Sequence, residues 1–110
     1  MATTPRKVHG VDISHHQSGK IDMAGAKKRG LLWLYHKATE GDSFTDSNYA
    51  RRREEARKAG LPFGAYHFAR AERGDAKAEA TRFLKVASPK PGDLRPALDL
   101  ETSEGLSIAD

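Results

Sequence analysis

Leu31-Leu-Trp-Leu-Tyr-His-Lys-Ala38 is a continuous apolar run that ends in polar groups. It is too short for a typical helix. Unbroken hydrophobicity over this length fits a parallel strand covered on both faces. The flanks decide which kind of sheet holds it. Upstream, Asp22 is expected to cap a short helix from Met23 to Arg29, with Gly30 as the C′ residue. Downstream, a loop from Thr39 to Thr45 leads to a second helix, capped by Asp46 or Ser47 and running to about Ala59. Gly60 and Pro62 then stop it.

The same alternation continues outward in both directions. Val8 to Ser14 reads as a strand, because Val11 and Ile13 alternate with Gly10 and Asp12. Phe63-Gly-Ala-Tyr-His-Phe68 is a third strand. Asp75 opens a third helix to about Ala87, with Ala76, Ala80, Phe83, Leu84 and Ala87 on one stripe. Ser88 to Asp93 is a turn-rich connection, and Arg95 to Glu101 is the fourth strand. The order βαβαβαβ implies parallel strands joined by helical crossovers. A doubly wound open sheet and part of a β/α barrel both satisfy it. Neither phosphate-loop signature is present, which argues against the common nucleotide-binding open sheets. Trp33 and Phe63 are expected in the core, and Val11, Ile13, Leu34 and Phe68 on an apolar inner face.

Composition narrows the function classes. The chain has 110 residues, 37% hydrophobic and 31% charged, the balance of one globular domain. Met1 to Lys7 carries charge but no apolar h-region, so it reads as a tail before a domain at 8–110, not as a signal peptide. No run approaches the roughly 20 apolar residues of a membrane span. Cysteine is absent, which excludes disulfides and thiolate chemistry. The net charge of +4 favours polyanionic surroundings without choosing one. The densest basic cluster, Arg51 to Lys58, is interrupted by Glu54 and Glu55. It reads as a solvated helix face with internal ion pairs, not a nucleic-acid patch.

Functional groups of parallel β/α folds gather at the C-terminal strand ends. Each strand here ends in polar residues: Asp12 and Ser14, then His36, Lys37, Thr39 and Glu40, then Tyr66 and His67, then Asp99 and Glu101. Asp99 and Glu101 are two apart on one strand and share a face. Neighbouring carboxyls resist joint ionisation, so one keeps its proton near neutrality. An acid beside an ionised carboxylate is what glycosidic cleavage requires. An Asp-x-Glu at a strand end is also an ordinary surface feature, and Asp12 strengthens the reading only if its strand comes close. His15 and His16 are adjacent and point apart, which makes a poor chelate. His36 and His67 are expected to line a cleft as hydrogen-bonding groups.

Four stretches in order carry a family resemblance: Gly10-Val-Asp-Ile-Ser-His-His-Gln17, Lys37-Ala-Thr-Glu-Gly41, Gly64-Ala-Tyr-His-Phe68 and Leu98-Asp-Leu-Glu101. Together they closely resemble the family 25 glycoside hydrolases, the CH-type lysozymes. The resemblance implies the first half of an irregular, TIM-like β/α barrel. It implies hydrolysis of the β-1,4 bond between N-acetylmuramic acid and N-acetylglucosamine in peptidoglycan, with no cofactor and no metal. Glu101 matches the general acid, Asp99 the carboxylate beside it and Asp12 the first-strand carboxylate. Tyr66 matches a cleft tyrosine, and Glu40 lies in a stretch that organises the site floor. Tyr66, Glu40 and His67 are the expected substrate contacts. Peptidoglycan strands are the expected partner, with neither nucleic acid nor membrane. A half-barrel is expected to pair with itself or with a second chain, or to be poorly stable. A catalytically incomplete peptidoglycan-binding protein is the alternative.

Overall fold

The computed structural model of the chain describes residues 10–17, 19–70 and 74–101. The expected tail Met1 to Lys7, the first two residues of the expected first strand, and 102–110 lie outside them. The elements are β1 (Gly10–Ile13), α1 (Met23–Lys28), β2 (Trp33–Glu40), β3 (Phe44–Thr45), α2 (Tyr49–Ala59), β4 (Phe63–Phe68), α3 (Ala76–Ala87) and β5 (Ala97–Asp99). The parallel strands run in the order β1-β2-β4-β5. Each new strand adds to the same edge. With right-handed crossovers this places every connecting helix on one face, whereas a doubly wound sheet must reverse.

The helix-covered, outer face holds the core. Leu34, Phe63 and Ala65 from the sheet are buried with Met23, Tyr49, Ala56, Phe83 and Ala87 from the helices. Ile13 packs against this cluster. Val11 pairs with Leu34 and Ile13 with His36, so Val11, Ile13 and Leu34 all belong to the outer face. The expected apolar inner face is therefore incorrect for these three. Alternation along β1 turns Asp12 inward and its neighbours Val11 and Ile13 outward. Phe63 is core as expected. Trp33 is only half-buried, and it lines a depression on the inner face with Tyr35 and Tyr66.

Local signals account for most helix ends. The Asp22 carboxylate accepts from the Gly25 amide at 3.0 Å and starts α1. Gly60 ends α2 at φ 71°, the left-handed turn that glycine tolerates. Two expectations fail at the start of α2. Thr39 to Thr45 is not a plain loop, because β2 continues to Glu40 and Phe44–Thr45 returns antiparallel against it. The cap position belongs to Asn48, not Asp46 or Ser47. Asp46 spends one oxygen on the Asn48 amide at 2.9 Å and the other on His15. On α3 the buried line is Glu79, Phe83 and Ala87, while Ala76, Ala80 and Leu84 of the expected stripe remain exposed.

The basic cluster of α2 divides by face. Arg51 and Arg57 form the expected surface pairs with Glu55 and Glu54. Arg52 and Arg53 point into the fold. Arg53 bonds the Ala87 carbonyl at 2.7 Å and Asp93 at 2.7 Å, tying α2 to the end of α3. Arg52 falls in the buried line Tyr49–Arg52–Ala56, spaced three and four apart.

Gly64 tests the packing of the inner face. A Cβ there would stand 2.5 Å from the Tyr35 ring and 2.8 Å from Leu94 Cβ. Gly64→Ala should lower stability by about 1–3 kcal/mol through overpacking. Urea denaturation measures it, and an unchanged midpoint would show that Tyr35 swings aside freely.

Candidate active site

At the C-terminal strand ends the inner face opens into a cleft of ≈ 520 Å³. Asp12 reaches it from the end of β1. Asp99 and Glu101 come from β5 and the residues after it, and Tyr66 comes from β4. Asp12 thus shares one cavity with a phenol and with a carboxylate pair distant from it in sequence. Parallel pairing aligns the strand ends, and the alternation of each strand turns these side chains inward.

Crowding sets the charge of the site. Burial, a side-chain hydrogen bond with Glu101 and the charges of Glu101 and Asp12 raise Asp99 to about 6. Lys37 opposes this only in part. Asp99 therefore keeps its proton in mildly acidic solution, in its hydrogen bond with Glu101. Burial, then the charges of Asp12 and Asp99, push the Tyr66 phenol up to about 12, so it remains a neutral hydrogen-bond donor.

The opposite wall is built from β2 and its hairpin. Lys37 and Glu40 both face the cleft because the β2–β4 pairing slips between Lys37 and Thr39. Lys37 Nζ bonds Glu40 Oε1 at 2.6 Å, and Arg70 binds the other oxygen through Nε at 3.1 Å and through Nη2. Burial alone would lift the Glu40 carboxyl, but these two cations hold it below the usual range. Glu40 lines the cleft with both oxygens engaged, so it orders Lys37 and Arg70 directly. The Lys37 amine also lies 4.9 Å from the Phe68 ring centre and 5.9 Å from that of Phe44. Exposed Phe44, Ser43, His15 and His16 complete the rim.

His67 is displaced from its expected place. It is buried on the outer face, where Nδ1 meets Thr39 Oγ1 at 2.8 Å and Nε2 meets Glu79 at 2.8 Å. The period of β4 turns Tyr66 and Phe68 inward and His67 toward α3. It is thus a hydrogen-bonding group without access to the cleft. His36 is likewise fully buried beneath α2. Sequence reading missed Arg70, Phe44 and Ser43. Arg70 follows β4 by two residues, so the strand-end rule already marked it. Phe44 required the β3 hairpin, which its two-residue length conceals.

Residues 11–110 match the family model of glycosyl hydrolases family 25. The chain belongs to that family. It is 39% identical over 99 residues to an autolytic lysozyme of Clostridium acetobutylicum, covering 90% of this chain and 30% of that one. It is 38% identical to an N,O-diacetylmuramidase of Chalaropsis sp, covering 93% and 50%. The structure of a family GH25 lysozyme from Aspergillus fumigatus superposes with a TM-score of 0.80 at 36% identity, covering 87% of this chain and 47% of that one. The sheet is therefore a TIM-like half-barrel, and the chain spans half or less of these relatives.

The paired acids give a direct test. Asp99 should titrate near 6 in carboxyl NMR, and Glu101→Gln should bring it down toward its ordinary 3.8. The folded chain binds this proton more readily than the unfolded one. Asp99 therefore adds stability as pH falls from about 7 to 4. An unmoved midpoint in the variant would show that the two carboxyls do not interact.

Proposed function

We propose that the chain carries the acid half of a peptidoglycan muramidase site. It acts on the β-1,4 bond between N-acetylmuramic acid and N-acetylglucosamine. The observation that supports this best is the convergence of Asp12, Asp99 and Glu101 on one cleft, with a proton retained at about 6. Family membership adds independent support.

The chemistry follows from these positions. Glu101 is the exposed member of the pair and Asp99 the more sheltered one. Glu101 passes the shared proton to the glycosidic oxygen as the bond to the anomeric carbon breaks. Asp99, then ionised, and Asp12 beside it face the positive charge that develops on the sugar ring, or orient its 2-acetamido group. Water adds to the anomeric carbon, and its proton returns to the pair. Tyr66 donates to substrate oxygen as a neutral phenol. Glu40 acts through Lys37 and Arg70.

Completion of the cleft belongs to the same reading. Leu98 and Leu100 are 67% and 64% exposed, and they line an apolar groove with Leu84, Ala80 and Phe83. Among the described residues, β5 pairs on one side only. Edges and faces of this kind are templates for further strands and helices. We infer that a polypeptide supplying the rest of the barrel, in the same chain or a second one, covers them.

Two measurements test the proposal. In the assembled enzyme, Glu101→Gln should lower peptidoglycan turnover by about two to four orders of magnitude. Wild-type turnover in that variant would refute the assignment. The 110-residue chain alone should cleave peptidoglycan far more slowly than when joined to the remaining half of a family 25 domain. Equal rates would refute the need for a partner. Binding without cleavage in both forms would favour the accessory-protein alternative.

A further inference from the structure

Arg52 stands apart from the acid chemistry and is 0% exposed. Nη1 donates to the Ser14 carbonyl at 3.0 Å and to His36 Nε2 at 3.1 Å. Nη2 donates to the carbonyls of Gln17 and of Gly19, the latter at 3.2 Å. These acceptors are all neutral, and among the described residues Arg52 forms no ion pair with a carboxylate. Burying a cation without a counter-ion is costly unless its donors are met. Here three carbonyl oxygens and the His36 nitrogen meet its Nη donors, Nε has no partner among the described residues, and the charges of Asp46 and Glu55 reach it without ion-pair contact.

The groups it holds lead to both shoulders of the cleft. Ser14 and Gln17 form a turn after β1, closed by Gln17 N to Ser14 O at 3.1 Å and Ser14 N to Gln17 Oε1 at 2.8 Å. The same turn carries His15 and His16 to the rim. On the other shoulder, His36 Nδ1 meets the Lys37 carbonyl at 2.8 Å. A carbonyl only accepts, so the His36 proton is on Nδ1 and Nε2 is bare toward Arg52. That carbonyl belongs to the first residue of the slip that brings Lys37 and Glu40 inward.

We propose that Arg52 is a positioning residue for carbohydrate binding: one guanidinium locks the turn after β1 and, through His36, the slip in β2. It thereby presents His15, His16, Lys37 and Glu40 in a single geometry. The inference rests on the proposed carbohydrate-binding cleft. A planar fork serves several acceptors in different directions at once, whereas a lysine ammonium is a single point.

The test titrates the isotope-labelled chain, joined to the remaining half of a family 25 domain, with a soluble tetrasaccharide of alternating N-acetylglucosamine and N-acetylmuramic acid, followed by NMR. Arg52→Lys should keep the helical circular dichroism, displace the free-state signals of His15 and His16, and weaken binding about tenfold through lost preorganisation. Arg57→Lys, on the exposed face of the same helix, should do neither. If the wild-type chain shows no shifts at Asp12, Asp99 and Glu101, the functional reading itself fails. If it binds and Arg52→Lys binds equally well with unmoved histidine signals, the positioning role alone is wrong.

A second measurement needs no variant and decides the matter if Arg52→Lys does not fold. His36 faces Arg52, Arg51 and Tyr49 of α2, Asp46 before that helix, Phe63 of β4 and the Lys37 carbonyl. Burial holds its imidazole below 6.5, against the pull of the Lys37 carbonyl. Protonation at Nε2 turns an N–H against Arg52 Nη1. Acidification through His36 should therefore move the Gln17 and Gly19 amide signals with the same midpoint and weaken saccharide binding in step. A neutral His36 protonated at Nε2 at pH 7, or a His36 titration that leaves those amides unmoved, would overturn the inference.

Discussion

Between Lys37 and Thr39 the pairing of β2 with β4 slips by one residue, and the alternation of β2 changes side there. Lys37 stands opposite Tyr66 and Glu40 opposite Phe68, so both face the cleft. Thr39 stands opposite His67 and faces the helices. Continued regular alternation would send Glu40 into the layer beneath α3 and Thr39 into the cleft. A carboxylate in that apolar layer would need a new cation or its proton. The slip instead puts opposite charges together where water and Arg70 reach them. It also gives the buried imidazole of His67 a hydroxyl partner.

The two faces of the sheet obey different physics. Outside, the buried polar groups around His67 form a linked set. His67 lies between Thr39 and Glu79, and Glu79 also accepts from the Arg70 amide at 3.0 Å. Burial would raise Glu79, but hydrogen bonds from the Arg70 amide and from His67 help to hold its carboxyl below the usual range. Inside, the carboxyls of Asp12, Asp99 and Glu101 have too few cations near them. Asp99 carries the result as a raised proton affinity. The outer networks fix the chain so that the inner repulsion persists instead of relaxing. Preorganisation of this kind is the general route by which a fold keeps an uncomfortable site.

Much of this was legible in the residues, because helix caps and strand ends are local. Asp22, Gly30 and Gly60 delimit their helices through backbone groups within a few positions. Asp12, Tyr66, Asp99 and Glu101 follow from alternation plus the rule that parallel strands expose their C-terminal ends together. Three of the failures share one cause, a side chain used by a distant partner. Asp46 has the composition of a cap but serves His15, 31 residues away. Arg52 has the composition of a surface cation but serves Ser14, 38 residues away. His67 ends a strand but belongs to α3. The slip in β2 and the two-residue β3 leave no periodic mark, and with them Phe44 stayed hidden.

Trp33 is the chain's single tryptophan. Its ring lies so close over Gly10 that a Cβ there would come within 1.9 Å of it. It crosses Tyr35 edge to face at 5.8 Å, in the same depression as Asp12, Tyr66, Asp99 and Glu101. Indole emission shifts with the polarity of its surroundings and is quenched by nearby proton donors. The molecule thus contains an optical gauge at the back of its own cleft. It needs no attached dye, and its light reports both the water that fills the depression and the protons its acids carry.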